Sequence, residues 1–122
     1  MELPAFQAIV DATIETLPKQ FKDALTGVII AIEPHPTPKR GRISRTLLGL
    51  YEGVPMTQWG REYDGKLPDK ITLYQENIEA YARDEEEIPH VIRETLLHEI
   101  AHYFGFDHDK ISGMEKRWRT QR

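Results

Sequence analysis

An α+β domain is the architecture this sequence predicts, and three observations predict it. Apolar residues recur at helical spacing over residues 4–24. They do so again over 89–104. Between these stretches lie three short strand-like runs, at 28–32, 47–53 and 70–75, separated by segments rich in proline, glycine and charge. The chain has 122 residues, enough for one hydrophobic core and too few for two, so residues 1–122 read as a single domain.

Composition narrows the function classes. With 39% hydrophobic and 30% charged residues, the chain has the balance of a soluble globular protein. No apolar run approaches the roughly 18 residues of a membrane span, so no transmembrane segment is expected. Met1 to Ala5 lack a basic patch followed by an apolar core, which makes a cytoplasmic location the default expectation. Cysteine is absent, which excludes disulfides and thiolate zinc sites and leaves imidazole and carboxylate as metal ligands. A net charge of −4 argues against a protein devoted to nucleic acid.

Taken in order, Phe6, Ile9, Val10, Ile14 and Leu17 form an apolar stripe at steps of three and four, predicting a first helix. Pro18 interrupts it, and a second short helix carries Phe21 and Leu25. Gly27 ends the helical pattern. Val28 to Ile32 is a continuous apolar run dominated by β-branched residues, which predicts a buried strand. Residues 33–42 hold three prolines and three basic residues and read as an exposed loop; His35, between prolines, is not expected to bind metal. Leu47 to Gly53 reads as a second strand closed by a turn. Residues 54–69 form a loop in which Trp59 and Tyr63 either line a cleft or anchor the packing. Lys70 to Gln75 alternates apolar and polar residues and predicts a half-buried strand. A helical turn over 77–82 follows. Asp84 to Glu87 then place negative charge ahead of a helix, where it complements the dipole, and Pro89 suits the first turn. That helix is expected to run to about Phe104, with Val91, Ile92, Leu96, Ile100 and Phe104 facing the core. The remaining tail reads as a short helix around Met114 with a basic, exposed end.

The chemistry concentrates in His98-Glu99-Ile-Ala-His102-Tyr-Phe-Gly105-Phe-Asp-His108. Positions four apart stack on one face of a helix, about 6 Å along its axis. His98 and His102 can therefore share one metal ion, with geometry that suits tetrahedral zinc. Glu99 lies roughly 100° around the helix, placed to take a proton from metal-bound water rather than to bind metal. Gly105 can end the helix on a left-handed residue, and the reversed chain would bring His108 back as third ligand. The fourth position is left to water. Residue frequencies put H-E-x-x-H alone in about 2% of shuffled chains, and the whole pattern in roughly one in twenty thousand. Three neutral imidazoles leave zinc its double charge, which lowers the pKa of bound water toward about 7. Glu99 as general base and a polarised carbonyl then complete a hydrolytic mechanism. Tyr51, Tyr63, Tyr74, Tyr103 and His90 are the candidates for a second oxyanion donor.

The arrangement resembles the zincin metallopeptidases, and its longer form resembles the metzincin version. Leu47 to Gly53, Leu67 to Tyr74 and His98 to Asp109, in this order, resemble the small bacterial minimal metalloprotease-like zincins over roughly residues 27–118. This resemblance implies a small mixed sheet against the metal-bearing helix. It also implies a zinc-dependent peptidase acting on a peptide or protein, with His98, His102 and His108 as ligands and Glu99 as base. Members of that family often carry Asp in place of His108, so Asp107 and Asp109 are alternatives for the third ligand. Met114, six residues beyond His108, lies closer than a metzincin methionine turn would.

Two other readings use the same residues. The spacing of His98, His102 and His108 also resembles that of zincin-like endoribonucleases, and Lys39, Arg40, Arg42 and Arg45 could contact phosphate. Those enzymes lack a glutamate after the first histidine, so Glu99 favours amide hydrolysis. In a non-catalytic zinc domain, Asp107, Asp109 or Glu115 would have to close the coordination shell.

Overall fold

The computed structural model describes residues 1–53 and 69–104. The readings placed on 54–68 and 105–122, including Trp59, Tyr63, Gly105, His108 and the tail helix, lie outside the described residues.

Helix α1 spans Leu3–Glu15 and α2 spans Lys19–Ala24. Pro4 sits in the first turn of α1, where its missing N–H costs nothing. Pro18, unable to continue that helix, becomes the N-cap of α2. Strand β1 is Ile29–Glu33, β2 is Gly49–Glu52 and β3 is Lys70–Tyr74. Helix α3, Gln75–Tyr81, leaves directly from β3. A 3-10 turn, Glu85–Glu87, then leads into α4, Ile88–Phe104. Asp84 caps the 3-10 turn by accepting a hydrogen bond from the Glu87 amide at 3.0 Å, which begins the long helix where the acidic run and Pro89 predicted it.

The sheet is mixed, in the order β1-β3-β2, with β1 parallel and β2 antiparallel to β3. This order corrects two burial expectations. The apolar run at 28–32 forms an edge strand, and Ile29 is 50% exposed. The alternating run at 70–75 is the central strand, with Ile71, Thr72, Leu73 and Tyr74 all buried. Consecutive residues of a strand face opposite ways, so burial of all four shows the central strand covered on both faces.

Helix α4 is the spine of the molecule. It packs against α1, α2, α3, β2 and β3. Val91, Ile92, Leu96 and Ile100 are buried as expected, and Leu97 and Ala101 join them. With Phe6 and Val10 of α1, Phe21 of α2, Ile71 and Leu73 of β3 and Ile78 of α3, they form one continuous core. A helix covered by five elements is apolar around much of its circumference, so its exposed strip is narrow. Arg93 Nη2 reaches from α4 to Thr16 Oγ1 at 2.8 Å, tying the helix to the end of α1.

The basic loop folds into a tight turn. Lys39 and Arg42 pair with each other across Arg40 and Gly41, both at positive φ (53° and 75°). Two consecutive positive φ values are the signature of a hairpin turn that twists with its strands, and glycine accommodates one of them without strain.

Candidate metal centre

Helix α4 carries His98, Glu99 and His102 and packs against β2. Residues 96, 97, 100 and 101 are turned inward and buried, which leaves His98 and Glu99 half-buried and His102 exposed on the remaining strip. His98 and His102 therefore lie one helical turn apart on a face open to solvent, the placement their spacing predicts. Two imidazoles so placed on an accessible strip, with a carboxylate beside them, suit a zinc ion's preference for nitrogen donors and an open position. Among the described residues no third His, Cys, Asp or Glu joins them in a group able to hold a metal; His108, Asp107 and Asp109 lie outside those residues.

Glu99 is held by the sheet. Strand β2 lies at the edge opposite β1, and its Tyr51 backbone N–H donates to Glu99 Oε1 at 2.9 Å. The Tyr74 amide donates to Leu48 O at 3.0 Å on the β3 side. Residues of an antiparallel strand alternate, so the Tyr51 amide, three residues from Leu48, points away from β3. Glu99 thereby satisfies a backbone donor on the side of β2 that faces away from β3. Its other oxygen, Oε2, makes no hydrogen bond among the described residues.

The approach of β2 to α4 needs Gly49. A Cβ there would lie 2.7 Å from Thr95 Cγ2, closer than real contacts allow, and a tight 3.1 Å from Thr72 O. At the strand's other end, a Cβ on Gly53 would lie 2.5 Å from the Tyr103 hydroxyl oxygen and 2.7 Å from Asp69 Oδ1. Tyr103, next to His102, stacks on Tyr51 with ring centroids 3.9 Å apart and planes 15° from parallel. The Tyr51 hydroxyl donates to Asp69 Oδ2 at 2.9 Å. Burial raises the Tyr51 phenol well above its ordinary range, with the Asp69 hydrogen bond and charge adding to it. Tyr103 is raised by burial and then by the Asp69 charge.

These contacts sort the oxyanion candidates. Tyr51 commits its proton to Asp69. His90 is two helical turns before His98, about 12 Å along the axis, and its Nε2 pairs with Glu94 Oε1 at 2.8 Å. Tyr74 is buried at the end of β3, near enough to Glu99 that its charge helps raise the phenol after burial and the charges of Glu52 and Glu33. Tyr63 lies outside the described residues. His35 Nδ1 contacts Pro36 O at 3.0 Å. Sequence reasoning missed the Tyr51 amide and Asp69 as supports of the motif. A backbone donor carries no residue signature, and nothing local to Asp69 marks it out. Glu94, four residues before His98, could have been found by spacing alone.

Among the described residues no helix is long and apolar enough to cross a membrane. A conserved hypothetical protein from Thermus thermophilus has a similar structure: it is 28% identical, with a TM-score of 0.57, and the alignment covers 93% of this chain and 99% of that one. No curated protein matches. A family model described as zincin-like metallopeptidase matches residues 25–118, a span that includes all three strands, α3, α4 and the full histidine motif. On that match, which covers well over half of its length, the chain belongs to the zincin-like metallopeptidase family.

Proposed function

We propose that this protein is a zinc-dependent peptidase, with His98, His102 and His108 as metal ligands, Glu99 as general base, and a peptide or unfolded protein as substrate. The observation that carries this reading is the Glu99 carboxylate, which follows the first histidine on the open strip of α4 and, among the described residues, is clamped by Tyr51 N–H at Oε1 alone. When bound, zinc would supply a water acidified from a pKa of about 15.7 to about 7 and a Lewis acid for the substrate carbonyl. Glu99 Oε2 takes up the proton released as the carbonyl is attacked and returns it to the departing amine. The Tyr51 amide keeps Oε1 in place through both transfers, so the base needs no reorientation between them. Family membership supports the reaction class.

The test is zinc content and peptide hydrolysis of the wild type and Glu99→Gln. Glutamine retains an oxygen that can accept from Tyr51 N–H, so the variant is expected to fold and bind zinc as the wild type does. Hydrolysis should fall by about 100-fold or more. Undiminished hydrolysis would remove Glu99 from its role. Cleavage of structured RNA, with no peptide cleaved, would replace the peptidase reading by the nuclease one.

A further inference from the structure

Beside the motif, a hollow of about 300 Å³ opens between α4, the segment entering β2 and α3. His98 and Glu99 form one end of it and Glu94 another part of its wall, with Leu47, Leu48 and Gly49 along the side. A second, larger hollow of about 760 Å³ continues along α4 past Glu86, Glu87 and His90. Both are lined by Tyr81 and Glu94, so the two adjoin along these side chains, and the smaller one is a groove whose lining includes both Glu94 and His98. Resting on the peptidase reading above, we propose that this groove receives the substrate side chain next to the scissile bond, and that Glu94 selects lysine or arginine there.

Six observations carry this. Glu94 is one helical turn before His98, about 6 Å along the axis, which is the span of an extended lysine or arginine side chain. The wall between them is apolar at Leu47 and Leu48 and lacks a side chain at Gly49, as the methylene stem of such a residue requires. The Glu94 side chain is only 13% exposed and is fixed by His90 Nε2 at 2.8 Å, so it is ordered before a cation arrives. His90 Nδ1, buried and without a hydrogen-bond partner among the described residues, fits the tautomer in which Nε2–H donates and Nδ1 is bare. An unpaired N–H at that position would be the costlier choice. The wall is also anchored: buried Asn77 Nδ2 donates to Ser44 O at 3.0 Å and Leu47 O at 2.8 Å. The net charge of −4 favours approach of a basic peptide.

The experiment compares fluorogenic peptides that differ at one residue flanking the cleaved bond: lysine, arginine, norleucine or glutamate. Turnover by the zinc-loaded wild type is measured together with anisotropy binding of the same peptides to zinc-loaded Glu99→Gln. Lysine and arginine peptides are expected to exceed norleucine in kcat/KM and in affinity by about tenfold or more, the scale of one charge-assisted hydrogen bond. Glu94→Gln should erase that margin, and Glu94→Lys should shift it toward glutamate. Cleavage or binding without a basic preference overturns the groove assignment and leaves the peptidase reading standing. Preferential binding of basic peptides with no cleavage of any peptide upholds the groove and overturns the peptidase reading. A basic preference that survives Glu94→Gln, in a variant whose circular dichroism matches the wild type, removes Glu94 from the role.

Discussion

Tyr51 uses backbone, ring and hydroxyl at once: its amide holds Glu99 and its ring stacks on Tyr103, both on α4, while its hydroxyl bonds Asp69 just ahead of β3. The phenols of Tyr51, Tyr74 and Tyr103 all ionise above the ordinary value of 10.0, in each case chiefly through burial. The sign of the consequence is fixed by linkage. Above pH 10 the unfolded chain has released protons that the folded chain still holds, so the unfolded state binds fewer protons and stability falls as pH rises. Below pH 10 that contribution is fully present. Urea unfolding measured between pH 8 and pH 11 should therefore show a loss of stability beginning near pH 10. Tyr51→Phe should flatten that slope while costing about 1–2 kcal/mol at neutral pH through the hydrogen bond lost to Asp69. An unchanged slope in this variant would mean that Tyr51 does not contribute to it.

Among the elements, the contact of β2 with α4 has the least room. Gly49→Ala would press a methyl against Thr95 Cγ2, at 2.7 Å, and should destabilise the fold by about 1–3 kcal/mol, the usual cost of overpacking. Because β2 would move away from α4, the Tyr51–Glu99 bond should weaken and hydrolysis should fall with stability. Thr95→Ser deletes the opposing methyl but keeps the hydroxyl that donates to Val91 O at 2.8 Å. The double variant should therefore recover part of the loss in a double-mutant cycle of chemical denaturation. Simple additivity would place the strain elsewhere. The elements themselves were legible from pattern: Pro18 divides α1 from α2, and α4 runs over the stretch marked by Pro89 and the apolar period. Strand order was not. The continuous apolar run became an edge and the alternating run became the centre, since hydropathy reports how apolar a strand is and not which neighbours it will have.

At the scale of the molecule, the described residues share one buried core. Phe6, Val10, Phe21, Ile71, Leu73, Ile78 and the inner face of α4 pack together away from the open strip that carries His98 and His102. Chelation is accordingly expected to abolish hydrolysis while the far-ultraviolet circular dichroism stays folded. The melting temperature should drop only by the binding energy withdrawn, about 2.7 kcal/mol for a site held at 100 times its Kd. Unfolding on chelation would instead make zinc a structural element. The centre was readable in the sequence as far as helical spacing reaches: His98, Glu99 and His102 are where a 3.6-residue turn puts them. What lay beyond was everything contributed across the chain, since Tyr51 meets Glu99 over 48 residues and no local pattern announces such a meeting.

The bond from a main-chain amide to Glu99 has one more consequence. That single N–H is a natural spectroscopic probe: its proton resonance should move when Glu99 is neutralised by mutation or when a divalent ion arrives beside it. Deuterium should enter it faster once the carboxylate is removed, while the amides of Leu50 and Glu52 on either side keep their pace. One assigned peak would thus follow the loading of the centre in solution, with no substrate present.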